Sequence, residues 1–539
     1  MTRPLETRGS RLARLTSAEL DVLVVGGGIT GIGVALEVAA RGKSVGLLER
    51  GDWAGATSSA SSRLIHGGLR YLEQYDFDLV RESCLERARL LDNGAGFVWP
   101  ERFAFPLFRS SRVGRAKLLA GLALYTLVSL PKPLGVPRLA RRSTIAEAIP
   151  GIDERELVGG GLYLDGATDD ARLAIAVLAT AVERGAAAVS RIELVGLERG
   201  AVQHVARLRD VETGAEHTAR ARAVVLAGGP FADELRSTAG LHGRPWVQPT
   251  RGSHVVVPRE RLPTDGAVIF DSAVDGRVMF LIPWPRYTVI GTTDIDASAT
   301  DAVAATRAEV HYLLDSANAL VPAARLAEPD VVSTWAGLRP LLRADDLGPS
   351  ARSREERVES EERIYTIAGG KLTGYRSMAE GLVDRIAREQ IWNAPRHVTR
   401  NLRLRGALPA RLGVRPWSRY ADDPRDDRSI AWERRYAGLA DEVDRHCGQQ
   451  PRGQEPLDRE TLEGEVLWAA NFEDCRSTAD FLLRRTDIGY GPREIAERAI
   501  PRIREQLAAR LGWNEARAER DREDALAALQ RLHAWKSNL

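Results

Sequence analysis

The sequence predicts an α/β protein with a nucleotide-binding domain assembled from separated segments, a strand-rich insertion and an all-helical C-terminal domain. Three observations carry this. Strand–glycine–helix units recur at three distant places: Val22–Val25 into Gly26-Gly27-Gly28-Ile29-Thr30-Gly31, Ala221–Leu235 around Ala227-Gly228-Gly229-Pro230, and Ile364–Ile367 into Ala368-Gly369-Gly370-Lys371-Leu372-Thr373-Gly374, with a helix opening near Ser377. Short strand-like runs fill the middle of the chain, at His254–Val257, Ala267–Phe270, Val278–Ile282 and Tyr287–Ile290. From Ile430 onward the periodicity is helical, with no strand candidates.

The first unit is the most informative. A β-branched run enters a G-x-G-x-x-G loop, an apolar helix follows (Ile32, Ala35, Leu36, Ala39), and a second strand, Ser44–Leu48, ends in Glu49 and Arg50. This is the βαβ order of a dinucleotide site: Gly26 for the tight turn, Gly28 for close approach to the pyrophosphate, Gly31 for helix-on-strand packing. The free N–H groups at the helix start favour phosphate, and Glu49 falls where a carboxylate meets ribose hydroxyls. The Ser/Gly-rich stretch Ala54–Arg70 comes directly after. It places Thr57, Ser58, Ser59 and Ser62 where hydroxyls and backbone N–H groups can line a cofactor. Units this far apart are better explained by one folded nucleotide domain than by three independent ones.

At 539 residues, two or three domains are expected. Residues 1–19 read as a polar, mobile tail. The nucleotide and substrate domains interleave over 20–392, with cap pieces at about 72–165 and 245–335. Residues 393–420, rich in Pro and Arg, read as a linker, and 421–539 as the helical domain. Helices are expected over Asp78–Leu91 and Asp169–Arg184, strands over Arg191–Glu198 and Val205–Asp210.

The charge balance, 76 basic against 74 acidic residues, gives no overall attraction to nucleic acid, so none is expected as a partner. Three scattered cysteines fit neither a disulfide framework nor a metal cluster and favour a reducing compartment. No apolar run approaches the roughly 20 residues that span a bilayer, and the basic N-terminus lacks an apolar signal segment. Residues 109–142 are unusual: eight basic residues, no acid, and the apolar run Leu118–Leu130. Two readings stay open, an interfacial helix meeting an anionic membrane surface and a buried helix flanked by a solvated basic face.

Candidate chemistry rests on cations and histidines. Arg70 closes GGLR, Arg339 sits between glycine and proline in an apolar run, Arg354 follows Ser353, and Lys371 follows a strand ending in glycine. Such groups hold phosphate or carboxylate. Among nine histidines, His66 and His254 lie in or beside glycine-rich turns, where a neutral imidazole can take a proton from an alcohol as hydride leaves. There is no G-x-S-x-G elbow, H-E-x-x-H, Walker loop or zinc-spaced cysteine pair, so redox chemistry on an anionic substrate is favoured over hydrolysis.

The run Thr57–Glu73, TSSASSRLIHGGLRYLE, closely resembles the signature of FAD-dependent glycerol-3-phosphate dehydrogenases of the aerobic, quinone-linked type. GGGITGIG (26–33), RGSHVVVP (251–258), IPWP (282–285), GTTD (291–294), WAGLRPL (335–341), GGKLTGYR (369–376) and DFLLRRT (480–486) agree in order, so the resemblance spans about residues 20–530. It implies an α/β flavoprotein with a Rossmann-like FAD-binding domain, a β-sheet-containing cap domain over the substrate and an all-α C-terminal domain. It implies non-covalent FAD held at Gly26, Gly28, Gly31, Glu49, Arg50, Thr57, Ser58, Ser59, Ser62, Gly228, Gly370, Leu372 and Thr373. It further implies oxidation of sn-glycerol 3-phosphate to dihydroxyacetone phosphate by hydride transfer from C2 to flavin N5. Arg70, Tyr71, Arg339, Arg354 and Lys371 would bind substrate, and His254, Arg339 and Lys371 would act in catalysis. A quinone acceptor, a peripheral position on the cytoplasmic face of the membrane and a homodimer complete the expectations. The chain departs from the family pattern at Arg63, where Lys is usual, at Gly374, where Thr is usual, and at Gly228, where Ala is common. All three are expected close to the cofactor. Alternatives are a glycerol-3-phosphate oxidase using oxygen, an amino-acid-oxidase-like flavoenzyme and, least favoured, a non-enzymatic flavin-bound protein at a membrane surface.

Overall fold

A computed structural model describes residues 4–68, 76–111, 113–130, 134–300, 303–343, 356–409 and 425–537. Its described strands form two sheets. In the first, the order is Glu356–Glu361, Ile364–Gly369, Glu216–Leu226, Glu19–Val25, Val45–Glu49, Ala187–Ser190. Strands 364–369, 216–226, 19–25, 45–49 and 187–190 run parallel. The register sets Val25 opposite Leu226 and Leu226 opposite Thr366, so the three glycine loops emerge side by side from one edge of neighbouring strands. That edge, beyond the carboxyl ends of parallel strands, is where such sheets bind ligands. The strands read as continuous apolar runs because both faces are covered. Helix Ile29–Ala40 packs against helices Asp170–Glu183 and Tyr375–Glu389, and Gly33 allows the contact, since a Cβ there would lie 2.7 Å from the Tyr375 ring.

The second sheet is mostly antiparallel: Ile295–Asp296, Thr250–Pro258, Tyr287–Gly291, Val278–Pro283, Ala267–Asp271, Val98–Phe108, Leu157–Thr168, Leu64–Ile65, with Ser333–Arg339 paired to Thr250–Pro258 and Arg138–Ala140 to Leu157–Thr168. It draws a strand, Leu64–Ile65, from the Ser/Gly stretch outside the expected cap pieces, which ties that stretch to the sheet.

Residues 425–537 hold helices Asp427–Tyr436, Ala440–Gly448, Gly464–Phe472, Arg493–Leu511 and Glu515–Arg531, and their described part contains no strand beyond the bridge Pro456–Leu462. Trp432, Tyr436, Trp468 and Phe472 make a local aromatic core. A larger cluster runs without a break from Trp335 and Trp284 of the second sheet to Phe481, Ile500 and Leu529, so the helical domain and the cap share a hydrophobic interior.

Two expectations need correction. The described part of the N-terminal segment, 4–19, is not a mobile tail. Arg8–Ser17 is a helix capped by Thr7, with Arg11 and Leu15 buried. The spacing of Arg8, Arg11 and Leu15 puts them on one face, and Arg8 and Arg11 find Asp210 and Asp474 more than a hundred residues away. The described part of the linker, 393–409, is not a free tether either. Leu402, Leu404, Ala407 and Leu408 pack on the helices of the first sheet, with backbone hydrogen bonds from Leu404 to Asn93 and from Leu408 to Ala95. Its Pro and Arg content masks that apolar stripe.

Candidate active site

The glycine edge of the first sheet is built for a nucleotide. Gly26 sits at φ +117°, and a Cβ there would lie 2.3 Å from the Ala227 carbonyl oxygen; at Gly31 it would lie 1.9 Å from the Gly26 oxygen. Only bare backbone fits this turn. Helix Ile29–Ala40 begins at Gly28 with no side-chain cap, so its first N–H groups and its dipole are offered outward, apart from Ile29 N–H, which donates to Ser58 Oγ at 2.9 Å. Glu49 accepts from Gly27 N–H (2.7 Å) and Gly51 N–H (2.6 Å), which leaves further lone pairs for a ribose; burial pushes its carboxyl pKa up. Arg50 is exposed, lies over the Phe231 ring and pairs with Glu234 at 3.3 Å, so it bridges the first glycine unit to the second. Gly228 has an ordinary φ of −73°, and its nearest neighbours would crowd a Cβ only to 3.1 Å. Gly370, at φ +79°, packs under Met378. Leu372 is half-buried, and Thr373, buried, donates to the His66 carbonyl at 3.4 Å. Gly374 opens helix Tyr375–Glu389 at φ −91°, with only Ser377 Oγ at 3.8 Å in the way of a Cβ, so the backbone does not demand glycine there.

The Ser/Thr run joins this edge to the second sheet. Thr57 donates to the Leu338 carbonyl at 2.6 Å, Ser58 holds the helix start, and Ser62 Oγ lies 2.9 Å from His254 Nε2. Ser59 donates to the Ala56 carbonyl through its N–H (3.3 Å) and Oγ (3.5 Å). Ser61, which the sequence does not single out, donates to Asp170 at 2.7 Å.

His254 lies on strand Thr250–Pro258 between Trp335 and Gly291 on the flanking strands. Its ring stacks on Trp335 at 4.9 Å between centroids, and it fits because Gly291 has no side chain: a Cβ there would be 2.2 Å from the ring. The imidazole is 2% exposed. Burial, then Arg339 and Arg63, push its pKa down to about 3, so the ring is neutral near pH 7. Its Nδ1 is buried without a partner among the described residues, which suits a group poised for a ligand hydroxyl.

Arg339, at the end of strand Ser333–Arg339, donates to Thr293 O (3.1 Å), Thr292 Oγ1 (2.9 Å) and Asp294 (3.0 Å). Gly252 gives it room, since a Cβ there would be 2.2 Å from the guanidinium. Asp294 is thus part of this corner, and only its place in GTTD marked it in the sequence. Lys371 follows strand Ile364–Gly369 and is half-buried. Arg70, Tyr71 and Arg354 lie outside the described residues. Arg63, expected beside the cofactor, turns its guanidinium to the boundary with the helical domain, 4.2 Å from the Trp284 ring centroid.

Orphan helix N–H groups, a glycine cradle closed to any Cβ, and a carboxylate at the end of the second strand fit the pyrophosphate and ribose of a dinucleotide. The fold and site therefore define a dinucleotide-binding protein. Residues 21–379 match the family model described as FAD dependent oxidoreductase, and residues 397–518 that of the C-terminal domain of alpha-glycerophosphate oxidase. Aerobic glycerol-3-phosphate dehydrogenase of Staphylococcus aureus (strain USA300) is 36% identical over 379 residues, 69% of this chain and 68% of the relative. The glycerol-3-phosphate dehydrogenase of Bacillus halodurans, solved with FAD, superposes with a TM-score of 0.80 at 29% identity over 99% of both chains. The L-alpha-glycerophosphate oxidase of Mycoplasma pneumoniae shares the fold, with a TM-score of 0.57 at 19% identity over 70% of this chain and 96% of that one. The chain belongs to the FAD-dependent glycerol-3-phosphate dehydrogenase family, and its cofactor is FAD.

Proposed function

We propose that the protein oxidises sn-glycerol 3-phosphate to dihydroxyacetone phosphate. The observation that supports this best is that the buried, neutral imidazole of His254 feels the charge of the Arg339 guanidinium on the adjoining strand. FAD, when bound, supplies a two-electron acceptor for the hydride leaving C2. His254 takes the C2 hydroxyl proton as the ketone forms. Arg339 and Lys371 bind the phosphate and fix the substrate, so that remote binding energy orients the reacting carbon; Arg70, Tyr71 and Arg354, outside the described residues, are proposed as further substrate-binding groups on the motif resemblance alone. Incubating holoprotein with glycerol 3-phosphate and a soluble quinone tests this directly. Dihydroxyacetone phosphate should accumulate, and its absence from a flavin-loaded, folded sample would exclude the reading.

The acceptor is proposed to be a quinone in the cytoplasmic leaflet of a membrane. The support is helix Arg115–Val128, which buries Leu118, Leu122 and Tyr125 and exposes Leu119 and Leu127, followed by exposed Leu130 and Val136. Arg109, Arg115, Lys117, Arg138, Arg141 and Arg142 are exposed around it. An apolar stripe among cations suits anionic headgroups. No helix of the described residues is long and apolar enough to cross a membrane. A homodimer is compatible with this arrangement, and its mass in solution is the measurement that decides it. The match of residues 397–518 to an oxidase domain favours oxygen as a second acceptor reading. Peroxide yield against quinone reduction, measured in one preparation, separates the two.

A further inference from the structure

Arg63 follows Ser62, the partner of His254, and takes a left-handed conformation at φ +56°. Its buried guanidinium lies 4.2, 5.5 and 5.4 Å from the ring centroids of Trp284, Trp335 and Tyr490. It pairs with Asp169 (3.1 Å), Asp487 (3.3 Å) and Asp170 (3.8 Å). Trp284 stacks on Trp335 at 5.7 Å, and Trp335 stacks on His254 at 4.9 Å. Tyr490 meets Trp284 and Trp335 edge-on, at 6.1 and 5.5 Å. A ladder of flat groups thus runs Arg63, Trp284, Trp335, His254, and its far end rests on Asp487 and Tyr490 of the helical domain. The strand carrying Trp335 is strapped to the same domain. Ser333 Oγ donates to the Tyr490 carbonyl at 2.7 Å, and Thr334 donates to the Leu532 carbonyl through both Oγ1 (2.8 Å) and its backbone N–H (3.0 Å).

We infer that the C-terminal helical domain positions the active site: through Arg63 and Tyr490 it sets the plane of Trp335 and so of His254. Arg63 and Tyr490 are positioning residues, and the inference rests on the reading of His254 as proton acceptor. The imidazole is held by a hydrogen bond from one side and a stacked ring from the other, so a tilt of Trp335 misaligns it. Arg63 also acts by charge. The groups facing His254 are Arg339 from strand Ser333–Arg339, Arg63 and Ser62 from the segment before Leu64–Ile65, Trp335, and bare Gly291. Arg63 is itself flanked by Asp169, Asp170, Asp487 and Tyr490. Removing the cation and leaving those acids makes protonation of His254 easier, so the acid limb of the rate moves to higher pH.

The test is stopped-flow flavin reduction by glycerol 3-phosphate with holoenzyme, across pH, for wild type, Arg63→Met and Arg63→Lys. Arg63→Met should slow reduction at saturating substrate by about tenfold or more while KM changes far less, with the acid limb displaced upward. Arg63→Lys, which restores a buried cation, should recover much of the rate and return the pH profile. Should Arg63→Met fail to retain flavin, Tyr490→Leu and Asp487→Asn carry the same expectation of slowed reduction with little change in KM. A flavin-loaded variant set that reduces at the wild-type rate with the wild-type pH profile would overturn the inference. Wild-type flavin that the substrate does not reduce would instead overturn the functional reading beneath it.

Discussion

Asp52 and Arg485, 433 residues apart, form a buried ion pair in which each guanidinium Nη meets its own carboxylate oxygen at 2.8 Å. Asp52 lies in the loop after Glu49, whose Ala54 N–H bonds the Gly27 carbonyl and whose Trp53 ring lies against Gly27. The helical domain therefore grips the segment that backs the nucleotide cradle.

Arg485→Met leaves Asp52 with Arg484 alone and strips the two-bonded contact. Breaking a buried pair costs about 3–5 kcal/mol. Melting should fall, and FAD should leave more readily, read as the fluorescence of released flavin on dilution. Unchanged melting and flavin retention would show that the domain grip does not support the cradle.

Asp474 sits in the same boundary, where it accepts from Arg11, Trp53 Nε1 (2.9 Å) and Ser190 (2.7 Å). Burial alone would raise its pKa, but Arg11 and the hydrogen bonds win and lower it to about 2. A carboxyl depressed in the folded state adds stability above its unfolded pKa and loses it as pH falls through the folded one. From the ordinary 3.8 to about 2 this is worth roughly 2 kcal/mol. Asp474→Asn should be less stable than wild type near neutrality, and the difference should shrink over that acid window in melts at stepped pH. A constant difference would remove Asp474 from the linkage.

His254→Ala should retain flavin and lose about 10²–10⁴ in the rate of flavin reduction. Because burial and two arginines hold the wild-type ring neutral, the wild-type rate should show no acid limb from this group near neutral pH. A limb there, abolished in the alanine variant, would contradict the assigned protonation.

Arg339→Ala should raise KM for glycerol 3-phosphate, since hydrogen bonds to charged groups are worth about 1.5–3 kcal/mol. Gly252→Ala should do so more mildly, by pushing the guanidinium that lies 2.2 Å from the new Cβ. Initial-rate kinetics on the flavin-loaded variants decide it, and an unchanged KM in both places the phosphate elsewhere.

The parts of this fold that are local in the chain are legible in its sequence. Each glycine loop announces itself because the steric demand at Gly26 or Gly370 is met by the residue itself, and the buried parallel strands read as apolar runs. The side-by-side placement of the three loops follows from strand order, which their repetition implies. The docking of the ends is not legible. Arg11 finds Asp474, Asp52 finds Arg485 and Arg63 finds Asp487 across more than four hundred residues, and one basic residue among 76 carries no periodic signal of its partner. Arg63 illustrates the limit: its motif marks it as near the cofactor, while the left-handed backbone that turns it to Trp284 leaves no trace in composition. Asp294 is similar, a charge visible only as the last letter of a motif until its guanidinium partner is in place.

The central claim, that this flavoprotein draws a hydride from glycerol 3-phosphate, is tested most directly by adding that substrate anaerobically to holoprotein and following flavin absorbance. The flavin should bleach to the reduced spectrum, with saturation in substrate. Unchanged absorbance in folded, FAD-loaded protein would contradict it.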